Sequence, residues 1–139
     1  MKEQTFPAAI DQLHPMMQWV RGHLAGCDQT TVRKIELALE EAIVNVIEHG
    51  YKNKPGTIAV CFHQQGSVAE IVLRDQGPPF NPLEQDVQFD PLAPLEERDL
   101  GGLGIFLYTQ YMDEVQYKRE NNHNVLTLRK TVTRSSRNT

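Results

Sequence analysis

The sequence is poor in cysteine: its 139 residues hold two, Cys27 and Cys61, too few for a disulfide framework and not spaced as a CxxC metal pair. A reduced, cytoplasmic setting is the expectation. Residues Met1 to Pro7 carry no apolar core of a secretory signal. No stretch approaches the ~20 apolar residues of a membrane span, so no membrane partner is expected. No internal repeat is visible. There is no excess of positive charge either: 14 basic against 18 acidic residues leave a net charge of −4. That balance argues against a nucleic-acid-binding surface. It leaves room for a phosphate ligand, because backbone amides can make a site locally positive.

What is present is ordinary globular material, 40% hydrophobic and 23% charged. The length suits a single domain over residues 1–139. Thr5 to Ala9 reads as a short first strand. Asp11 is a candidate N-cap for a helix in which Leu13, Met16, Met17, Val20 and Leu24 recur at helical spacing, with Gly26 as its end. Thr30 is the candidate N-cap of a second helix, whose apolar stripe runs Val32, Ile35, Leu39, Ala42, Ile43, Val46, Ile47, and Gly50 is its expected stop. The period then changes to two. Ile58, Val60 and Phe62 predict one strand and Ala69, Ile71 and Leu73 another, joined as a hairpin through Gln65-Gly66-Ser67. Gln76 to Leu100 has no sustained period and reads as a functional or mobile loop. Leu103 to Met112 predicts a third helix, and Glu114–Lys118 with Asn124–Thr131 a second hairpin. The order strand, two helices, hairpin, loop, helix, hairpin suggests an α/β (α+β) two-layer sandwich: a mixed, mainly antiparallel sheet with helices on one face.

Three segments carry candidate chemistry. Glu41, Asn45 and His49 are spaced by four on the second helix, which would put them on one face. A carboxamide oxygen there can ligate a hard cation, and a carboxylate can take or orient a proton. Asp75-Gln76-Gly77-Pro78-Pro79-Phe80 lies at a strand end, where an aspartate can accept a hydrogen bond from an exocyclic amine and a glycine lets backbone approach a ring. Gly101-Gly102-Leu103-Gly104-Ile105 opens a helix, whose free N–H groups suit phosphate. It is neither a Walker A sequence nor a Rossmann fingerprint. Alone, each is weak: a solvated helix face, a capped turn and a hinge would look the same.

Together and in this order, they resemble the motif set of the GHKL ATPase superfamily, and within it the RsbW-like anti-sigma factor serine-protein kinases. Glu40 to Tyr51, ending in His-Gly-Tyr, resembles that family's N box. Arg74 to Phe80 resembles its G1 box, with Pro79 where the wider superfamily often has glycine. Gly101 to Leu107 resembles its G2 box. Met112 to Val115 and Asn124 to Leu128 are similar to its closing segments. The similarity runs from about Phe6 to Lys130.

The resemblance implies the Bergerat ATP-binding fold, with ATP and Mg²⁺ as cofactors. It implies Asn45 as Mg²⁺ ligand, Asp75 as partner of the adenine amine and Gly77 in the adenine pocket. Gly102, Leu103 and Gly104 would lie at the hinge of a phosphate-binding lid spanning Asn81 to Leu100, and Glu41 at the general-base position. The implied activity is phosphorylation of a serine or threonine on a STAS-domain anti-anti-sigma protein, in competition with a sigma factor or other regulatory target. A homodimer is the family's habit. His49 has a packing or hydrogen-bonding role as its expectation, and Arg21 on the first helix has no firm one. A histidine kinase would need a helical phosphoacceptor segment that 139 residues leave no room for. The other alternative is an ATP-gated module that sequesters a regulator without phosphotransfer.

Overall fold

Met16 and Val20, four residues apart, are the fully buried side of helix α1 (Leu13–His23) in the structure, a computed structural model that describes residues 2–84 and 110–133. Asp11 does not cap α1. It sits in a 3₁₀ turn, Ile10–Gln12, and the N-cap is Gln12, without a side-chain bond. The chain then turns through Gly26, at φ +84°. The N-cap of helix α2 (Gln29–Asn45) lies two residues before the predicted Thr30, because Asp28 is the better cap: its carboxylate accepts from Thr31 N at 3.1 Å and from the Thr31 hydroxyl at 3.2 Å. Val32, Ile35, Leu39, Ala42 and Ile43 bury one side of α2, as their spacing requires.

The strands form one sheet in the order β1-β2-β3-β5-β4, with β1 (Lys2–Pro7), β2 (Thr57–Gln65), β3 (Val68–Asp75), β4 (Glu114–Glu120) and β5 (His123–Thr131). The first strand therefore starts and ends earlier than predicted. All four pairings are antiparallel, so the mixed sheet expected from the sequence is, over the described residues, a purely antiparallel one. Two-residue turns close both hairpins. Gly66 supplies a left-handed position at φ +60°, and Asn121 and Asn122 do so at φ +51° and +62°. The third helix predicted at Leu103–Met112 and the Gly101–Gly104 cluster lie outside the described residues, apart from the helical Gln110 and Tyr111.

Period two decides which face of the sheet is covered. Val60 pairs with Leu73, and Leu73 with Leu126; Phe62, Ile71 and Leu128 make the next row. These side chains, with Met16, Val20, Ile35, Leu39 and Ile43 from the helices, form one buried cluster. The opposite face carries Arg129 between Glu70 and Glu114, at 2.7 and 3.0 Å, and Arg74 near Glu3. Cys61 lies on that face too. Burial, and then its hydrogen bond to the Glu3 carboxylate at 3.2 Å, push its thiol up to about 11, which suits a buried structural side chain rather than a nucleophile. Among the described residues, no helix is long and apolar enough to cross a membrane.

Tyr51, just beyond α2, joins the two layers. It is buried, and its hydroxyl donates to Thr57 O at 2.7 Å while accepting from Gln76 N at 2.9 Å. Its ring fills the space in which a Cβ on Gly56 would have to sit. Gly56→Ala is expected to cost about 1–3 kcal/mol by forcing that ring away. Gly22 on α1 faces open space, so Gly22→Ala should be neutral or slightly stabilising. Urea denaturation of both variants checks this, and equal midpoints would remove Tyr51 as the reason for Gly56.

Candidate functional site

The inward series of β3 runs Ala69, Ile71, Leu73 and then Asp75; that of β5 runs Leu128, Leu126 and then Asn124. Both apolar series end in a polar residue on the same sheet row, where Asp75 and Asn124 are directly paired and each is about 5% exposed or less. Buried polar groups need partners. Asn124 meets that demand fully: its Nδ2 donates to Asp75 Oδ1 at 2.9 Å and to Pro78 O at 2.9 Å, and its Oδ1 accepts from Phe80 N at 3.1 Å and from the Tyr117 hydroxyl. Asp75 Oδ1 also accepts from Gly77 N at 2.9 Å. Both donors to Asp75 fall on Oδ1, and among the described residues none engages Oδ2. One carboxylate oxygen holds the turn.

The Asp75–Phe80 turn is further bound on both sides. Gly77 lies against Tyr51, its place for a Cβ being 3.4 Å from the ring and 3.1 Å from Asp75 Oδ1. A side chain there would press on the carboxylate, which is the local reason for glycine. From the β4–β5 hairpin, Arg119 Nη1 donates to Gly77 O at 2.7 Å. Gln76 Nε2 lies 3.2 Å from His123 Nε2.

Helix α2 reaches the same region through an irregularity. Its last turn, Val46–Gly50, is a π-turn, closed by Tyr51 N donating to Val46 O at 2.8 Å. Such bulges insert a residue into the helical repeat. The predicted step of four therefore holds from Glu41 to Asn45 and fails for His49. Asn45 is buried, Glu41 is half-buried, and His49 is exposed with its ring stacked on Phe80, centroids 6.4 Å apart and planes at 18°. That contact is the packing role expected for His49. It also brings the end of α2 against the turn after β3. Arg21, which had no firm expectation, pairs with Glu36.

Burial first, and then the charges of Glu40 and Glu48, raise the Glu41 carboxyl above the ordinary glutamate range. A carboxylate so placed is a better proton acceptor than a solvated one. Gly102, Leu103 and Gly104 lie outside the described residues. Asn124, Tyr51 and Arg119 were not assigned from the sequence. The signal for Asn124 was there: it occupies an inward position that the period of β5 reserves for an apolar residue.

A family model described as histidine kinase-like ATPase domain matches residues 6–130. The chain is 31% identical to the serine-protein kinase RsbW of Halalkalibacterium halodurans over 123 residues, 85% of this chain and 75% of that one. The chain belongs to the RsbW-like branch of the histidine kinase-like ATPase family. It is also 32% identical over 98 residues to RsbW of Bacillus thuringiensis, covering 68% of this chain and 61% of that protein. In fold it is similar to the structure of the RsbU and RsbW domains of Rv1364c from Mycobacterium tuberculosis, with a TM-score of 0.62 at 18% identity, over 97% of this chain and 34% of that one. The catalytic domain of the histidine kinase ThkA superposes with a TM-score of 0.52 at 15% identity, covering 97% of this chain and all of that one.

The raised Glu41 pKa has a stability consequence. The folded state binds this proton more tightly than the unfolded chain, so wild-type stability falls, relative to a variant without the charge, as pH rises above about 4.3 and through the folded pKa. Glu41→Gln should match wild type near pH 4 and melt progressively higher than wild type as pH rises through the folded pKa. Parallel melting curves across that range check it; a constant difference would remove the perturbed carboxyl.

Proposed function

We propose that the protein is a Mg-ATP-dependent serine/threonine-protein kinase that acts as an anti-sigma factor. Its substrate would be a STAS-domain anti-anti-sigma protein. The observation that carries the nucleotide reading is the pair Asp75–Asn124. A buried carboxylate is fixed through one oxygen and presents the other beside a glycine turn, which suits the exocyclic amine of adenine. Gly77 lets the base approach. His49 and Phe80 stack where α2 meets that turn.

Asn45 supplies a buried carboxamide, and among the described residues no three His, Cys, Asp or Glu side chains gather as a metal cage. That donor set suits an ion that arrives with nucleotide phosphates and takes one protein oxygen, as Mg²⁺ does. When bound, Mg²⁺ would neutralise phosphate charge. Asn45 would hold it, with Gly102, Leu103 and Gly104 proposed around the phosphates. The bond from the γ-phosphorus to the ADP oxygen breaks as the partner's hydroxyl oxygen bonds to that phosphorus. Glu41 takes the hydroxyl proton, and its raised pKa brings it closer to operating pH for that task. The new phosphate adds about −1.5 to −2 charges to the partner, enough to release it from a complementary surface. A sigma factor or other target would then occupy this protein. A homodimer is part of the proposal by family habit.

Asp75→Asn keeps an oxygen for Gly77 N and Asn124 Nδ2 but turns the ligand-facing atom from acceptor to donor. ATP affinity should fall about 10- to 100-fold, the worth of a charge-assisted hydrogen bond. Inosine triphosphate, with a carbonyl in place of the amine, should lose much less. Calorimetry with both nucleotides decides it, and unchanged ATP affinity would take Asp75 out of the pocket. For the transfer step, the protein is incubated with Mg-ATP and STAS-domain proteins of the same genome, and phosphoserine is sought by mass spectrometry. Glu41→Ala should lower transfer by about 10²–10⁴-fold while ATP still binds. ATP binding with no transfer by the wild type would favour the sequestering module.

A further inference from the structure

The β4–β5 hairpin is remote in sequence from the residues assigned to the nucleotide, yet it grips the base-binding turn at several points. Arg119 pairs with Asn124 across the hairpin and so shares the sheet row of Asp75. Its guanidinium reaches Gly77 O at 2.7 Å. Gly77 N is meanwhile bound to Asp75 Oδ1 at 2.9 Å. The one residue that must let the base approach is thus held at its N–H by the carboxylate and at its carbonyl by the arginine. Asn124 holds the next carbonyl, Pro78 O, at 2.9 Å. The left-handed Asn121-Asn122 turn, with His123 Nδ1 2.8 Å from Asn121 O, closes the hairpin that carries these side chains.

From this geometry we infer that Arg119 is a positioning residue for the base-binding turn, setting adenine affinity and selectivity through Gly77 without touching the phosphates. The inference rests on the nucleotide reading above. Arg119 is exposed as a whole and lies outside the buried cluster, so its loss should not unfold the chain. What it removes is the shorter of two tethers on the Gly77 carbonyl, leaving Asn124 Nδ2 at 3.5 Å. The turn then drifts relative to Asp75, and the amine contact is weakened most. Lysine offers one donor of similar reach and should restore part of the tether. The adjacent Lys118 bears the same charge on the same strand, but pairs with Glu120 at 3.0 Å. It serves as the control for a long-range charge effect.

The test is calorimetry of Mg-ATP and Mg-ITP on wild type, Arg119→Ala, Arg119→Lys and Lys118→Ala, with melting curves of the free proteins. Arg119→Ala should weaken ATP about three- to tenfold, the worth of one hydrogen bond, at a nearly unchanged melting temperature. The ATP-to-ITP affinity ratio should fall with it. Arg119→Lys should recover part of both, and Lys118→Ala should change neither. Wild-type ATP affinity in Arg119→Ala, an equal loss in Lys118→Ala, or equal losses for ATP and ITP would each overturn the role. Failure of the wild type to bind either nucleotide would instead overturn the nucleotide reading itself.

Discussion

A shared carboxylate oxygen is the constraint around which this molecule is arranged. Asp75 Oδ1 accepts from the Gly77 amide of its own turn and from the Asn124 carboxamide of the neighbouring strand. The second bond could not form if β3 and β5 were out of register by one residue, because Asp75 and Asn124 would face opposite sides of the sheet. The apolar rows beneath fix that register by burying Leu73 against Leu126 and Ile71 against Leu128. The site thus inherits its precision from the core. A buried carboxylate without partners would be costly, and here two donors meet that cost on one oxygen.

The second layer is tied to this turn through Tyr51. Its hydroxyl bridges the start of β2 and the turn after β3, and its ring lies against Gly56 and Gly77. The π-turn before it makes this possible. With an uninterrupted α-helix, Tyr51 and His49 would leave α2 in other directions. The extra residue in the repeat sends Tyr51 inward and His49 out over Phe80. An irregular last turn in α2 is therefore a joint between the element bearing Glu41 and Asn45 and the element bearing Asp75.

Periodicity made the strands, both helices and most of the core legible, because burial of one face is what the pattern records. Boundaries were less legible: the Asp28 carboxylate displaced Thr30 as the cap of α2, and α1 starts after Gln12 with no side-chain cap at all. The π-turn left no trace in the spacing, since Glu41, Asn45 and His49 look equally helical until hydrogen bonds are drawn. Asp75 and Gly77 could be picked out from a local motif. Their supports could not, because Asn124 and Arg119 act from 49 and 42 residues away, across a register only the folded sheet defines. The polar interruption of an apolar series at Asn124 was the one sequence clue to that partnership.

Acidity, which weighed against a nucleic-acid-binding surface at the outset, is concentrated towards the end of α2. Burial raises the Glu41 carboxyl most, and the charges of Glu40 and Glu48 add to it. A helix built for stability alone would separate them or put cations there. Keeping them together raises the proton affinity of one carboxylate, which is what a proton acceptor near neutral pH requires. At the other end of the site, the turn carrying Gly77 is held by the Asp75 carboxylate, which accepts from Gly77 N, and by Asn124 and Arg119, which donate to its carbonyls. The rigid end and the strained end sit on different layers, so under the proposed function selectivity for the base and readiness for proton transfer could be adjusted independently.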